Sequence, residues 1–227
     1  MGEASVTAVG EIGDRLRDDI VAGELAFGTR LKLEELARRY GTGHMPVREA
    51  LWQLQGEGLV IFEPDRGARV RAVDADFVHN MFDLRIAIEA MVARRCAERI
   101  TIEALAMLDA AQVAFERHAA NHDYRGLLAA NREFHRVMNE ASRNPEAVAF
   151  LDRHWGLIAA LWARFGYGED RVAGVISDHH QIITALRTRD AEVASCLAMA
   201  HAAKAKQELI KRMQARPKLA IVAERSA

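Results

Sequence analysis

Apolar positions in the first part of the chain recur at helical spacing three times, and then the period changes. Ile12, Leu16 and Ile20 stand one turn apart and predict a helix that Gly23 stops. A short connector with a glycine turn, 25–31, leads to a compact helix over 32–41. Leu33, Leu36 and Tyr40 share one side of it, and Gly41 ends it. After a turn, Val47, Ala50, Leu51 and Leu54 form an i, i+3, i+4, i+7 stripe on a third helix, expected from about Pro46 to Gln55. Two β-rich runs follow in 58–73, separated by "PDRG", a strong turn signal.

From Asp74 to about Met213 the pattern is helical throughout, with breaks near 100–101, 121–123, 144–145, 166–170 and 188–190. Breaks about 20 residues apart predict about six helices of similar length, which suits an antiparallel bundle. The expected fold is mainly α: a winged helix-turn-helix with a small β-hairpin wing over 1–73, then a helical bundle over 74–213. Residues 1–10 and 214–227 lack periodicity and are expected to be loose tails.

The third helix carries the first chemical signal. A proline in a helix's first turn removes no hydrogen bond, so Pro46 marks a start. Arg48 then lies near the exposed end, and Glu49 in the expected first turn complements the helix dipole. A short helix, a tight turn and a second helix with a polar leading end make a helix-turn-helix, whose second helix enters the major groove of duplex DNA. Arg66, Arg69 and Arg71, in or just after the hairpin turn, are suited to phosphate or minor-groove contact. Residues 30–71 hold eight basic and six acidic side chains, Lys32 and Arg38 among the basic ones. That surplus of two is also compatible with a three-helix unit that binds no DNA.

Histidine placement is the second signal. "NREFHRVMNEASRNP" sets Asn131 and His135 four apart on one helical face. His179 and His201 lie within apolar helical patterns of two later helices. Histidines on such faces need their nitrogens bonded, and satisfied core histidines are the commoner outcome. Three imidazoles and an oxygen donor meeting inside a bundle would suit Zn²⁺ or another divalent first-row metal. His118 and His122 flank a helix end and are expected in solvent, His79 at the surface, and His180 about 100° around the helix from His179. His154, beside Trp155, is placed toward the same interior. Arg85 and Glu89, one turn apart, read either as an internal ion pair or as a guanidinium free to grip a carboxylate. The apolar run 155–167 reads as core or dimer contact rather than as a ligand platform. Such a centre also admits a metal-dependent hydrolase, with Glu140 or Asp178 as the nearest carboxylates.

Composition narrows the class. Of 227 residues half are hydrophobic and 28% charged, with a net charge of −1, so the chain reads as globular, with no global electrostatic signal for nucleic acid or membrane. Cys96 and Cys196 sit in alanine-rich helical contexts and are expected to be buried small hydrophobes in a reducing compartment. No signal peptide or membrane span is legible, and a cytoplasmic location is expected.

The ordered tokens "G.RL", "LA", "PVREAL", "L..EGLV" and "RGA.V" resemble the winged helix-turn-helix of the GntR family of bacterial transcription regulators. The pieces "LRIAIEAMVARRCAE", "N..FH..M..AS.NP" and "DHHQIITALRTRDAEVA" resemble the all-helical effector domain of its FadR subfamily. The resemblance implies a homodimeric repressor that leaves a two-fold operator when a small organic acid binds. It implies DNA contacts by Lys32, Arg38, His44, Arg48 and Arg66. It also implies a divalent metal on Asn131, His135, His179 and His201, and an effector carboxylate on Arg85. Three departures from the family pattern stand out. Phe27 replaces a usual proline, Gly43-His44-Met45 replaces Ser-Arg-Thr, and Asn131 replaces an aspartate. The first loss of charge alters a base-reading position; the last removes one negative charge from the metal set.

Overall fold

The computed structural model describes residues 2–215, with side chains described from residue 10. The expected C-terminal tail falls mostly on 216–227, outside the described residues. The helices are α1 (Gly2–Ala22), α2 (Leu33–Tyr40), α3 (His44–Gly56), α4 (Ala75–Arg99), α5 (Ile102–Ala120), α6 (Tyr124–Ala141), α7 (Pro145–Arg153), α8 (Trp155–Phe165), α9 (Glu169–Arg187) and α10 (Ala191–Ala215). The strands are β1 (Arg30–Leu31), β2 (Val60–Glu63) and β3 (Gly67–Val70).

The N-terminal elements form a winged helix-turn-helix on a core that includes Ile12, Leu16, Ile20, Leu36, Val47, Leu51 and Leu54. α2 ends where Gly41 takes φ 65°, the left-handed conformation that glycine adopts without a Cβ clash. The wing is the β2–β3 hairpin, tightened by positive φ at Asp65 and Gly67. Within 25–31, read from sequence as a connector, Arg30 and Leu31 pair with Arg69 and Ala68 and form a third antiparallel strand, so that β3 is central. A two-residue strand is too short to show alternation. α1 also starts earlier than the pattern suggests, at Gly2, so most of the expected 1–10 tail is helical.

Side-chain caps set the ends of the bundle helices. Asp74, Thr101, Asp123 and Asn144 accept hydrogen bonds from the backbone N–H groups of Phe77, Ala104, Gly126 and Ala147, opening α4, α5, α6 and α7. The span expected as one helix over 145–166 is divided at His154, whose φ of −99° and ψ of 3° end α7 and begin α8. No proline marks that break, and the nearest glycine, Gly156, lies inside the first turn of α8. The longest helices, α4 and α10, pack antiparallel, with Arg94 paired to Glu192 at one end and Lys206 to Asp83 at the other. Cys96 is buried as expected; Cys196 is exposed, one turn after Glu192 and near Arg94 at the solvent-facing edge of the α4–α10 pairing. Among the described residues no helix is long and apolar enough to cross a membrane.

The winged helix does not hang free of the bundle. Its core continues into Leu157, Ile158, Leu161 and Trp162 of α8 and Leu209 and Ile210 of α10. The apolar run over 155–167 is therefore core, as its composition suggests. Substituting Leu51→Ala, a side chain with no exposed surface, should cost about 2–5 kcal/mol. Asp123→Ala, which removes the α6 cap, should also destabilise the fold, by less than the core substitution. Chemical denaturation of the two variants beside the parent checks both outcomes.

Candidate DNA-reading face and metal centre

α3 opens on Gly43 as N-cap, so His44 is its first residue and Pro46 its third. The helix thus begins two residues before the expected start. Pro46 still lies in the first turn, where its missing N–H removes no helical bond, while Glu49 falls outside that turn. Lys32, Arg38, His44, Arg48 and Arg66 are all exposed. They line two neighbouring depressions. Arg38 and His44 flank one, between α2 and the start of α3. Lys32, Arg48 and Arg66 flank the other, between α3 and the wing.

Two of these cations have partners on α2: Lys32 meets Glu35 at 2.7 Å and Arg38 approaches Glu34 at 3.8 Å, both in solvent. Exposed pairs of this kind contribute little and exchange readily for phosphate. Arg69 and Arg71 behave differently from Arg66. Arg69 Nη1 donates to the Gly28 carbonyl at 2.9 Å, and Arg71 Nε donates to the Gly58 carbonyl at 2.5 Å. Arg71 also lies 5.3 Å from the Phe77 ring centroid. These two arginines stitch the wing to its base, and Arg66 alone of the three stands at its tip. Sequence reading overlooked Trp52. It is 55% exposed and stacks on Phe62 at 4.4 Å, joining α3 to the wing inside the second depression. Its place one turn after Arg48 was the available signal.

In the bundle, α6, α9 and α10 bring His135, His179 and His201 together. One nitrogen from each ring lies within 4.8 Å of the others, and all three residues are buried. His179 is held from two sides. Its ring stacks on Phe134 at 3.8 Å, and its Nδ1–H donates to Gln112 Oε1 at 2.8 Å. Gln112 is oriented in turn by donating its Nε2–H to Glu116 at 2.8 Å. This fixes the tautomer and leaves His179 Nε2 buried with no hydrogen-bond partner. His201 Nδ1 faces Asp178 at 3.2 Å, a carboxylate that also accepts from Lys204 at 2.6 Å. Burial, reinforced by neighbouring cationic groups, holds His135 and His179 well below the ordinary histidine range. Both stay neutral with their lone pairs available.

Asn131 lines the same cavity as His135 and His201, and its Oδ1 is buried without a partner. Three buried imidazoles beside an unpaired amide oxygen form a donor set that fits a divalent first-row metal. Arg85 lies on the cavity wall as well. Its guanidinium pairs with Glu89 at 2.8 Å and donates to the Leu151 carbonyl at 2.9 Å, so the internal ion pair read as one alternative is present. Sequence reading did not single out Gln112, Arg171, Trp155 or Tyr167. Arg171 and Asp178, seven residues apart on one face of α9, were the legible hint. Of the remaining histidines, His79, His122 and His180 are exposed, whereas His118 is partly buried and bonded to Asp123 at 2.8 Å.

Known proteins agree with this architecture. Residues 8–70 match bacterial regulatory proteins of the gntR family, and residues 80–204, more than half of the chain, match the FCD domain. The uncharacterised HTH-type transcriptional regulator YdhC of Bacillus subtilis is 23% identical over 190 residues, covering 83% of this chain and 84% of YdhC. The HTH-type transcriptional repressor RspR of Escherichia coli is 42% identical over 86 residues, 38% of either chain. The solved structure of E. coli McbR/YncC shares the fold, with a TM-score of 0.74 at 20% identity, covering 91% of this chain and 98% of that one. The hydrolase alternative finds no support here: these relatives are regulators. Glu140 is spent on Arg136 at the surface and Asp178 on His201 and Lys204, so neither carboxylate is free to act as a base. A winged helix-turn-helix matched over 8–70 and an FCD domain matched over 80–204 place this chain in the GntR family of bacterial regulatory proteins, and it is not an enzyme.

Proposed function

We propose that the chain is a ligand-responsive repressor acting as a homodimer, divided into a DNA-binding unit over 1–73 and an effector-binding and dimerising unit over 74–213. Two copies present two α3 helices to a two-fold operator. His44 and Arg48, on the exposed first turns of α3, meet base edges, while Lys32, Arg38 and Arg66 meet phosphates on either side. The observation that carries this reading is the shared depression in which Arg48 of α3, Lys32 of α2's N-cap and Arg66 of the wing stand exposed together.

In the bundle, His135, His179 and His201 hold a divalent first-row metal, zinc by preference, with the Asn131 amide oxygen as fourth donor. A small carboxylate effector binds beside it in the cavity walled by Arg85. The effector lowers operator affinity to the extent that it binds better to the arrangement in which the two α3 helices no longer match the half-sites. When bound, the metal supplies a fixed positive centre for the effector; the chain's own residues orient it and keep water away.

Arg48→Ala should reduce operator affinity by at least tenfold in a gel-shift titration while the helical circular dichroism is unchanged, and affinity equal to the parent's would remove α3 from the DNA. Replacing His135 and His179 together by alanine should leave less than a tenth of the parent's zinc by elemental analysis after gel filtration; parental zinc content would place the metal elsewhere. Asn131→Asp restores a carboxylate and should tighten zinc roughly tenfold or more in a competition titration with a chromophoric chelator. An unchanged constant would mean that residue 131 does not ligate.

A further inference from the structure

The cavity beside the three histidines is small, about 40 Å³, and it is unevenly charged. Arg85, Asn131, His135, Trp155, Tyr167 and Arg171 stand in its wall. The two arginines differ in how far their needs are met. Arg85 has a carboxylate at 2.8 Å and a carbonyl at 2.9 Å. Arg171 is 7% exposed, and its closest carboxylate oxygen, on Asp178, lies 3.9 Å from Nη1. That distance is beyond a hydrogen bond. The same carboxylate already serves His201 and Lys204. Arg171 Nε is buried without any hydrogen-bond partner.

An orphaned guanidinium N–H in a dry interior carries a desolvation cost that a bound anion would remove. The local charge count points the same way. In the wall itself two guanidiniums, Arg85 and Arg171, stand with a single carboxylate, Glu89, an excess of one positive charge. Asn131, being neutral, offsets none of it. A divalent ion on the histidines would raise the excess further. Tyr167, whose phenol burial pushes upward and thereby keeps protonated, stands in the wall within hydrogen-bonding reach of Arg171, while the Arg171 Nε stays unpartnered.

We infer that Arg171, rather than Arg85, is the anchoring residue of the effector cavity, and that it takes the carboxylate of a short monocarboxylic acid. The inference rests on the effector-binding reading above and names the side chain that carries it. The volume sets the ligand class: 40 Å³ holds roughly three waters, or one carboxylate with a single small substituent. A planar guanidinium suits a carboxylate because it offers paired donors in a fixed fork. Arg85 serves as a fixed, already neutralised wall.

Acetate is the probe. The full-length, zinc-loaded protein is titrated with sodium acetate by calorimetry, with sodium chloride at equal ionic strength as the blank. The parent should show saturable one-to-one binding, and Arg171→Met should weaken it at least tenfold. The double substitution Arg85→Met with Glu89→Met removes the neutral wall pair and should change acetate affinity less than threefold. Arg171→Lys keeps the charge without the fork and serves if the methionine variant loses its helical circular dichroism; it too should bind several-fold more weakly. The inference is overturned if the parent shows no saturable acetate binding, or if a folded Arg171 variant binds as the parent does. It is equally overturned if the Arg85 and Glu89 double variant alone loses acetate. Zinc content, measured on the same samples, separates the two readings. Arg171-dependent acetate binding by parent protein that holds no zinc supports this inference and removes the metal from the preceding one.

Discussion

Three imidazoles share one buried interior, and two of them, His135 and His179, are held neutral there. A protonated ring there would face two other rings and the Arg85 and Arg171 guanidiniums, so burial and repulsion act in the same direction on His135 and His179. Neutrality makes the rings donors of lone pairs, and the surrounding hydrogen bonds decide which nitrogen of each faces inward. The Gln112–Glu116 chain orients His179, and Asp178 orients His201. The helices therefore have to arrive in register. α6, α9 and α10 are aligned so that residues 135, 179 and 201 meet at one level, and the long α4–α10 pairing holds that alignment over most of the bundle.

The winged helix works on the opposite principle. Its cations are outside, and its core is apolar packing under α3. Cations that would otherwise crowd its face are divided by role. Arg69 and Arg71 are turned to backbone carbonyls, where they hold the wing in place, and Arg66 is left at the tip. Trp52 on Phe62 fixes the spacing between wing and α3. A modest surplus of positive charge is enough for such a surface, because placement rather than total charge determines where phosphate can be met.

Most of the fold was legible in the sequence, for reasons visible at particular residues. The stripes at Ile12–Leu16–Ile20 and Val47–Ala50–Leu51–Leu54 are buried as their spacing predicts. Thr101, Asp123 and Asn144, inside the expected breaks, each cap a helix. What escaped had weak local signals. β1 is two residues long and is stabilised by pairing with a strand almost forty residues away. The α7–α8 break at His154 has no proline, and Gly156 is taken up in the first turn of α8. Cys196 sits in the same alanine-rich context as Cys96 but is exposed, beside the Arg94–Glu192 pair. In the site, His135, His179 and His201 could be found because helical spacing projects them inward. Gln112 and Arg171 could not, since their roles arise only where α5 and α9 pack against each other and against α6.

α8 touches both halves of the molecule at once. Leu157 and Leu161 belong to the core beneath the winged helix, while Trp155 borders the histidine cavity, and Ile158 and Trp162 do both. A rigid eleven-residue helix cannot yield on one flank and stay still on the other. Any swelling of the cavity displaces a rod whose far side is seated against α1. α1 is packed in turn on α3, so direct side-chain contact runs unbroken from the histidine chamber to the first helix of the winged unit and on to its third.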